Sequence, residues 1–204
     1  MKQEPKDNIV VTIADESHLG YVDIILNTIA DSAAKRGTGI ARRSPEYIAE
    51  KIKKEGKAII ALDGDKFAGF CYIESWANKQ FVANSGLIVV EEYRGLGVAK
   101  RIKAKAFELS KKKFPGAKII GLTTSAAVMK INTELGYRPV TFAELTDDEA
   151  FWQGCKGCVN YDILQRTNRR YCLCTGMLYD PNASPKKEVK KAWGVVQKIK
   201  KNKK

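Results

Sequence analysis

Histidine is almost missing: His18 is the only one in 204 residues. A lone imidazole rules out a His-rich metal cluster and leaves a single histidine as a candidate general base. It opens an apolar-periodic segment, where a His serves as a capping or surface residue more often than as a general base. Long hydrophobic runs are also absent. None approaches the roughly 18–20 residues needed to span a bilayer, and the start, MKQEPKDNIV, lacks the apolar region of a secretory signal. These absences are those expected of a cytoplasmic protein. In that compartment Cys71, Cys155, Cys158, Cys172 and Cys174 stay reduced, which excludes a disulfide framework.

A packed core is within reach, because 44% of residues are hydrophobic. The net charge of +13 is unevenly spread: Asn182–Lys204 holds nine Lys and one Glu, or +8, leaving +5 for the remainder. The mildly basic body suits a small ligand with several phosphates and does not argue for nucleic acid. The tail follows a linker at Pro181–Pro185, and its Val189, Trp193, Val196 and Ile199 recur at helical spacing between lysines. That pattern predicts a basic amphipathic helix, docked on the body or on an acidic partner.

Hydrophobic periodicity predicts the elements between. Strands are expected at Asn8–Ala14, Lys57–Asp63, Lys66–Ser75, Lys79–Val90, Lys118–Thr123 and Tyr137–Phe142. Helices are expected at Glu16–Ala34 behind an Asp15 cap, at Pro45–Glu55 behind a Ser44 cap, and at Val98–Lys113, Ser125–Leu135 and Asp147–Gly154. Asp63-Gly64-Asp65 signals a tight hairpin.

One stretch organises the rest: Val89 to Ile102, VVEEYRGLGVAKRI, where a strand runs into a glycine turn and then a helix. Glycines allow a ligand to approach the backbone closely. A helix start presents unpaired N–H donors and partial positive charge, so strand, turn and helix together can cradle a phosphate. The spacing is neither the G-x-x-x-x-G-K-[ST] of a P-loop nor the G-x-G-x-x-G of a dinucleotide fold.

Arg94-x-x-Gly97-x-Ala99, after a strand and Glu92-Tyr93, resembles the R/Q-x-x-G-x-G/A pyrophosphate loop of the GNAT N-acetyltransferases. The predicted element order is also similar to that family's. The resemblance implies an α/β (α+β) fold, a mixed open sheet with helices on both faces. It implies an acyl-CoA co-substrate held by Arg94, Gly95, Leu96, Gly97, Val98 and Ala99. It further implies a bulge at Ile88–Val89 and backbone contacts from Ile88, Val89 and Val90, with the acyl group in a gap between the fourth and fifth strands. The expected domains are an acyltransferase domain over 1–150, a Cys-rich C-terminal extension over 151–180 and the tail over 181–204.

The acyl acceptor is suggested by three shorter matches. Leu122-Thr123-Thr124 followed by Gly136-Tyr137-Arg138-Pro139-Val140, Gly39-Ile40-Ala41-Arg42-Arg43-Ser44, and Lys79-x-Phe81-Val82 resemble stretches of N-acetylglutamate synthases. That implies a short stand-alone enzyme acylating the α-amine of glutamate, at the start of arginine biosynthesis. A dicarboxylate needs fixed cations, and Arg42, Arg43, Lys79 and Arg138 are the candidates. Glu74 is the candidate base for the acceptor amine. Where many GNAT enzymes carry a Tyr acid, this chain has Asn132, which can donate a hydrogen bond but no proton; direct attack is therefore expected. The donor is acetyl-CoA or another acyl-CoA such as succinyl-CoA, whose carboxylate would require a further cation that the sequence does not place. The alternatives are acetylation of a protein, ribosomal or other amine, or a nucleic-acid-associated protein of this fold using its tail. A homodimer is left open.

Cys155-x2-Cys158 and Cys172-x-Cys174 offer four thiolates that could hold a structural zinc, although C-x-C is tighter than the usual second pair. The other reading is a set of reduced thiols packed among Trp152, Tyr161, Leu164 and Tyr171, in a segment covering the acceptor site.

Overall fold

The computed structural model describes residues 8–36, 43–53 and 56–183. The basic tail helix, the end of the second helix, Arg42 and most of its motif lie outside the described residues.

The elements run β1 (Ile9–Ile13), α1 (Val22–Arg36), α2 (Pro45–Lys53), β2 (Ala58–Asp63), β3 (Lys66–Trp76), β4 (Phe81–Val89) and α3 (Val98–Lys113). They continue with β5 (Lys118–Thr123), α4 (Ala126–Glu134), β6 (Arg138–Val140), α5 (Glu149–Gln153), α6 (Tyr161–Arg166) and β7 (Thr175–Tyr179). One sheet takes the order β1-β2-β3-β4-β5-β7-β6. Only the β4–β5 pair is parallel. The mixed sheet and its flanking helices match the fold expected from sequence.

Strand periodicity decides which helix packs on which face. On β2 and β3, Ala58, Ile60, Phe70 and Tyr72 point to one face and bury Val22, Ile25 and Ile29 of α1 with Ile48 and Ile52 of α2. The alternate residues Ile59, Ala61, Cys71 and Ile73 point to the other and bury Val98, Ile102, Ala106 and Leu109 of α3. The pattern carries across to β5 and β7. Ile120 and Leu178 share the first face with Phe151, Trp152 and Leu164 of α5 and α6, while Ile119 and Met177 meet Phe107 and Tyr137 on the second.

Four expectations need correction. The segment after Asp15 begins as a 3-10 turn, Glu16–Tyr21, and becomes α-helical only at Val22. His18 completes its capping box, with Nδ1 accepting the Asp15 N–H, and therefore serves the cap. β4 begins at Phe81, because Ala77, Asn78 and Lys79 all take positive φ in the β3–β4 turn. β7 was not expected: Thr175–Tyr179 inserts between β5 and β6, so the cysteine segment is the connection from β6 back into the sheet. The bulge, finally, lies earlier than Ile88–Val89. Phe70 faces Ile88 and Tyr72 faces Ser85, so β4 carries one extra residue at Gly86–Leu87.

Gly86 has φ +64, and a Cβ there would lie 2.5 Å from the Tyr72 ring. Only glycine permits both the left-handed backbone and the ring packed on it. Gly86→Ala should therefore cost on the order of 1–3 kcal/mol, read as a lower urea midpoint with unchanged slope.

Candidate active site

β4 and β5 pair at only three positions, Phe81 with Lys118, Val82 with Ile119 and Ala83 with Ile120. Past these the strands part. A cavity of ≈ 640 Å³ occupies the gap, walled by Ala83–Leu87 on one side and Gly121–Thr124 on the other. It reaches both faces of the sheet.

Arg43, Tyr47, Tyr72 and Glu74 line it on the α2 face. Ser44 sets this arrangement locally: its hydroxyl accepts the Tyr47 N–H at 3.2 Å and so starts α2 directly after Arg43. Arg43 Nε donates to the Tyr72 hydroxyl at 3.0 Å, and its guanidinium lies 5.3 Å from the Tyr47 ring centroid. The Tyr47 and Tyr72 rings meet edge-on at 5.7 Å. Glu74 forms an ion pair with Lys51 of α2, so a carboxylate and a guanidinium border one polar recess. Burial raises both tyrosine hydroxyl pKa values, which keeps these hydroxyls neutral.

On the α3–α4 face the lining is Asn84, Lys103 and Asn132. Asn132 is 1% exposed, and among the described residues its Oδ1 has no hydrogen-bond partner. Asn84 Nδ2 donates to Ser110 Oγ at 2.7 Å, and Tyr137 OH donates to Asn84 Oδ1 at 3.2 Å.

Beyond its bulge β4 runs on to the glycine turn. Gly95 and Gly97 have φ +83 and +76, and a Cβ at either would meet nothing within 4 Å. Gly97 is the N-cap of α3, and no side chain caps that end. The first N–H groups of a 16-residue helix are thus without a capping side chain beside an open turn, an anion-binding arrangement. Arg94 is exposed beside them, with Nε donating to Val89 O at 3.2 Å.

The residues singled out from sequence land unevenly. Arg43, Glu74 and Asn132 come together on the cavity, as do Cys155, Cys158, Cys172 and Cys174. Lys79 does not, because it is exposed in the turn at the far end of β4. Nor does Arg138, exposed on β6 and paired with Glu144 at 2.7 Å. Ile88, Val89 and Val90 follow the bulge rather than form it, and Val90 N–H is bonded to Ala68 O. Tyr47, Tyr72, Asn84 and Lys103 were missed. Lys103 had a readable signal, since it falls on the same helical face as Ala106 and Ser110.

Among the described residues no group of three or more His, Cys, Asp or Glu side chains is placed to hold a metal ion. The zinc expectation is not met by this arrangement. Cys155, Cys172 and Cys174 instead pack against the apolar cluster that contains Phe142 and Trp152. Burial pushes the Cys155 thiol up to about 11 and the Cys174 thiol up to about 12. The thiolate is the reactive form, so both should alkylate with iodoacetamide at neutral pH more than tenfold slower than free cysteine, measured by peptide mass spectrometry.

Comparison with known proteins agrees with this geometry. The profile described as the acetyltransferase (GNAT) family matches residues 26–130. No curated protein matches the sequence. Among solved structures, N-acetylglutamate synthase from Neisseria gonorrhoeae, in complex with coenzyme A and N-acetyl-glutamate, is similar at TM-score 0.60 and 14% identity. The similarity covers 86% of this chain but 35% of that one, so the chain spans about a third of the length of that synthase. A Mycobacterium tuberculosis protein in complex with CoA and a second ligand is similar at TM-score 0.61 and 15% identity, covering 84% of this chain and 98% of that one. The ribosomal-protein-S18-alanine N-acetyltransferase of Escherichia coli is similar at TM-score 0.51 and 11% identity, covering 88% and 98%. The chain belongs to the GNAT family of acetyltransferases.

Proposed function

We propose that this protein transfers an acyl group from acyl-CoA to the α-amine of a small acidic amino acid, with glutamate as the first choice. The observation that carries the reading is the cavity through the parted strands. It joins the sheet face on which α3 packs, the helix that starts at the glycine turn, to a face bearing Arg43 and Glu74. In this reading the pyrophosphate of the donor sits at Arg94–Ala99, and the thioester lies between β4 and β5. Arg43, oriented by the Tyr72 hydroxyl, holds a carboxylate of the acceptor.

The reaction needs few groups. The acceptor ammonium gives a proton to Glu74, directly or through a water, and the free amine attacks the thioester carbonyl. A C–N bond forms, the C–S bond breaks, and CoA leaves as the thiolate, taking up the second amine proton. Asn132 can donate an Nδ2–H hydrogen bond to the departing sulfur but cannot protonate it. Positioning therefore supplies most of the rate. The fold likeness to the Neisseria synthase and the short motifs around Arg43 and Leu122–Thr124 support glutamate.

The deciding experiment is thiol release from acetyl-CoA with glutamate, other amino acids, an alanine-terminated peptide and a lysine peptide. Turnover with glutamate above the rest is expected; preference for a peptide would replace glutamate with a protein amine. Arg43→Ala should raise KM for glutamate by roughly 10–100-fold, the value of a lost charge-assisted hydrogen bond. Glu74→Gln should lower kcat by roughly 10²–10⁴-fold while CoA still binds. Gly97→Val should abolish CoA binding, measured by calorimetry, because it fills the open turn and strains the cap.

A further inference from the structure

Lys103 is the least expected side chain in the molecule. It is 2% exposed, yet it lines the cavity. Lysine is almost never fully buried unless paired, and among the described residues no carboxylate pairs with it. Its ammonium lies 5.3 Å from the Tyr137 ring centroid. The other polar groups of the described residues on this face of the cavity are neutral. The Cys71 thiol is pushed up to about 11 by burial and stays protonated, and Asn84, Ser110 and Tyr137 bond to one another. Asn132, also on this face, keeps a buried oxygen without a partner. The α3–α4 face of the cavity thus carries an ammonium and a buried amide oxygen, with no carboxylate of the described residues on that face.

Placement decides which ligand meets it. Lys103 is on α3, five residues past Val98, or roughly 7.5 Å along the axis from the first residue of the helix. It lies on the α3–α4 face, across the sheet from Arg43 and Glu74. A ligand anchored at the start of α3 enters on the side of Lys103, whereas the acceptor recess is on the other. We propose that Lys103 reads the donor: the acyl group this site takes ends in a carboxylate, as in succinyl-CoA, and Lys103 is its counter-ion. This inference rests on the donor site proposed above and specifies its acyl class. Burial pulls the Lys103 amine down to about 8, and a carboxylate beside it offsets that cost by pairing with the ammonium. An acetyl group, ending in a methyl, leaves the ammonium unpaired.

The test measures binding of CoA, acetyl-CoA and succinyl-CoA to the full chain by calorimetry, with no acceptor present. The wild type should bind succinyl-CoA at least tenfold tighter than acetyl-CoA. In Lys103→Met, which keeps length and loses charge, that ratio should fall toward one; thermal unfolding checks that the variant is folded. Equal binding of the two donors by the wild type, or a preference that survives Lys103→Met, would overturn the proposal. If the variant does not fold, the wild-type ratio still decides. A wild type that binds no form of CoA fails at the donor site itself, whereas one that binds CoA without regard to the acyl group sinks only the role of Lys103.

Discussion

Backbone pairing between β4 and β5 ends at Ala83 and Ile120, and the two strands have to be held apart from there on. A parallel pair left to itself continues its ladder, because unpaired backbone groups are costly. Here each diverging strand is committed to a partner on its outer edge. β4 pairs with β3 from Phe81 to Val89, and β5 pairs with β7 from Ile119 to Thr123. The bulge at Gly86 adds local twist to β4 where the gap opens. β7 is therefore more than a closing strand: it fixes the position of β5, and with it one wall of the cavity.

The opening sorts chemistry by sheet face. Side chains alternate across a strand, so Glu74 and Tyr72 on β3 fall on the face of α2, while Asn84 on β4 and the Cα of Gly121 on β5 fall on the face of α3 and α4. A substrate entering from the α2 side meets tyrosines, a guanidinium and a carboxylate. One entering along α3 meets amides and a single ammonium. The sheet separates the two sets of polar groups, and the gap is where the cavity joins them.

Local rules made most of this legible. The cap at Ser44, the hairpin at Gly64 and the strand–turn–helix at Val89–Ile102 each follow from residues a few positions apart, and they stand where the sequence places them. The exceptions depend on distant contacts. β7 is five residues, TGMLY, behind a pair of cysteines; its strand character comes from an open edge of β5 rather than from its own pattern. Arg138 looked available until the chain brought Glu144 back to it through a capping box at Thr141. The bulge, expected near Ile88–Val89 from the resemblance alone, stands just before them; Leu87-Ile88-Val89-Val90 reads as continuous strand, and only the Tyr72 ring, packed where a Cβ would sit, marks Gly86 as the bulged position. Lys103 sits among apolar neighbours on a lysine-rich helix, where charge alone does not separate the one buried lysine from the solvated ones.

One wall of the cavity owes its shape to the connection between β6 and β7. Between β6 and β7 the chain runs through α5 and α6, and its Phe142, Phe151, Cys155 and Cys174 close the cavity opposite Arg43. This segment is anchored at both ends by strands paired with each other, β6 to β7, so it cannot move without disturbing the edge that positions β5. Its interior is held by apolar contacts and by single bonds such as Trp152 Nε1 to Thr146 O at 2.8 Å. Nothing in the strand pairing dictates its sequence. Side-chain changes within this connection can therefore reshape that wall of the cavity while leaving the strand pairing in place, and in the proposed reading that wall borders the acceptor.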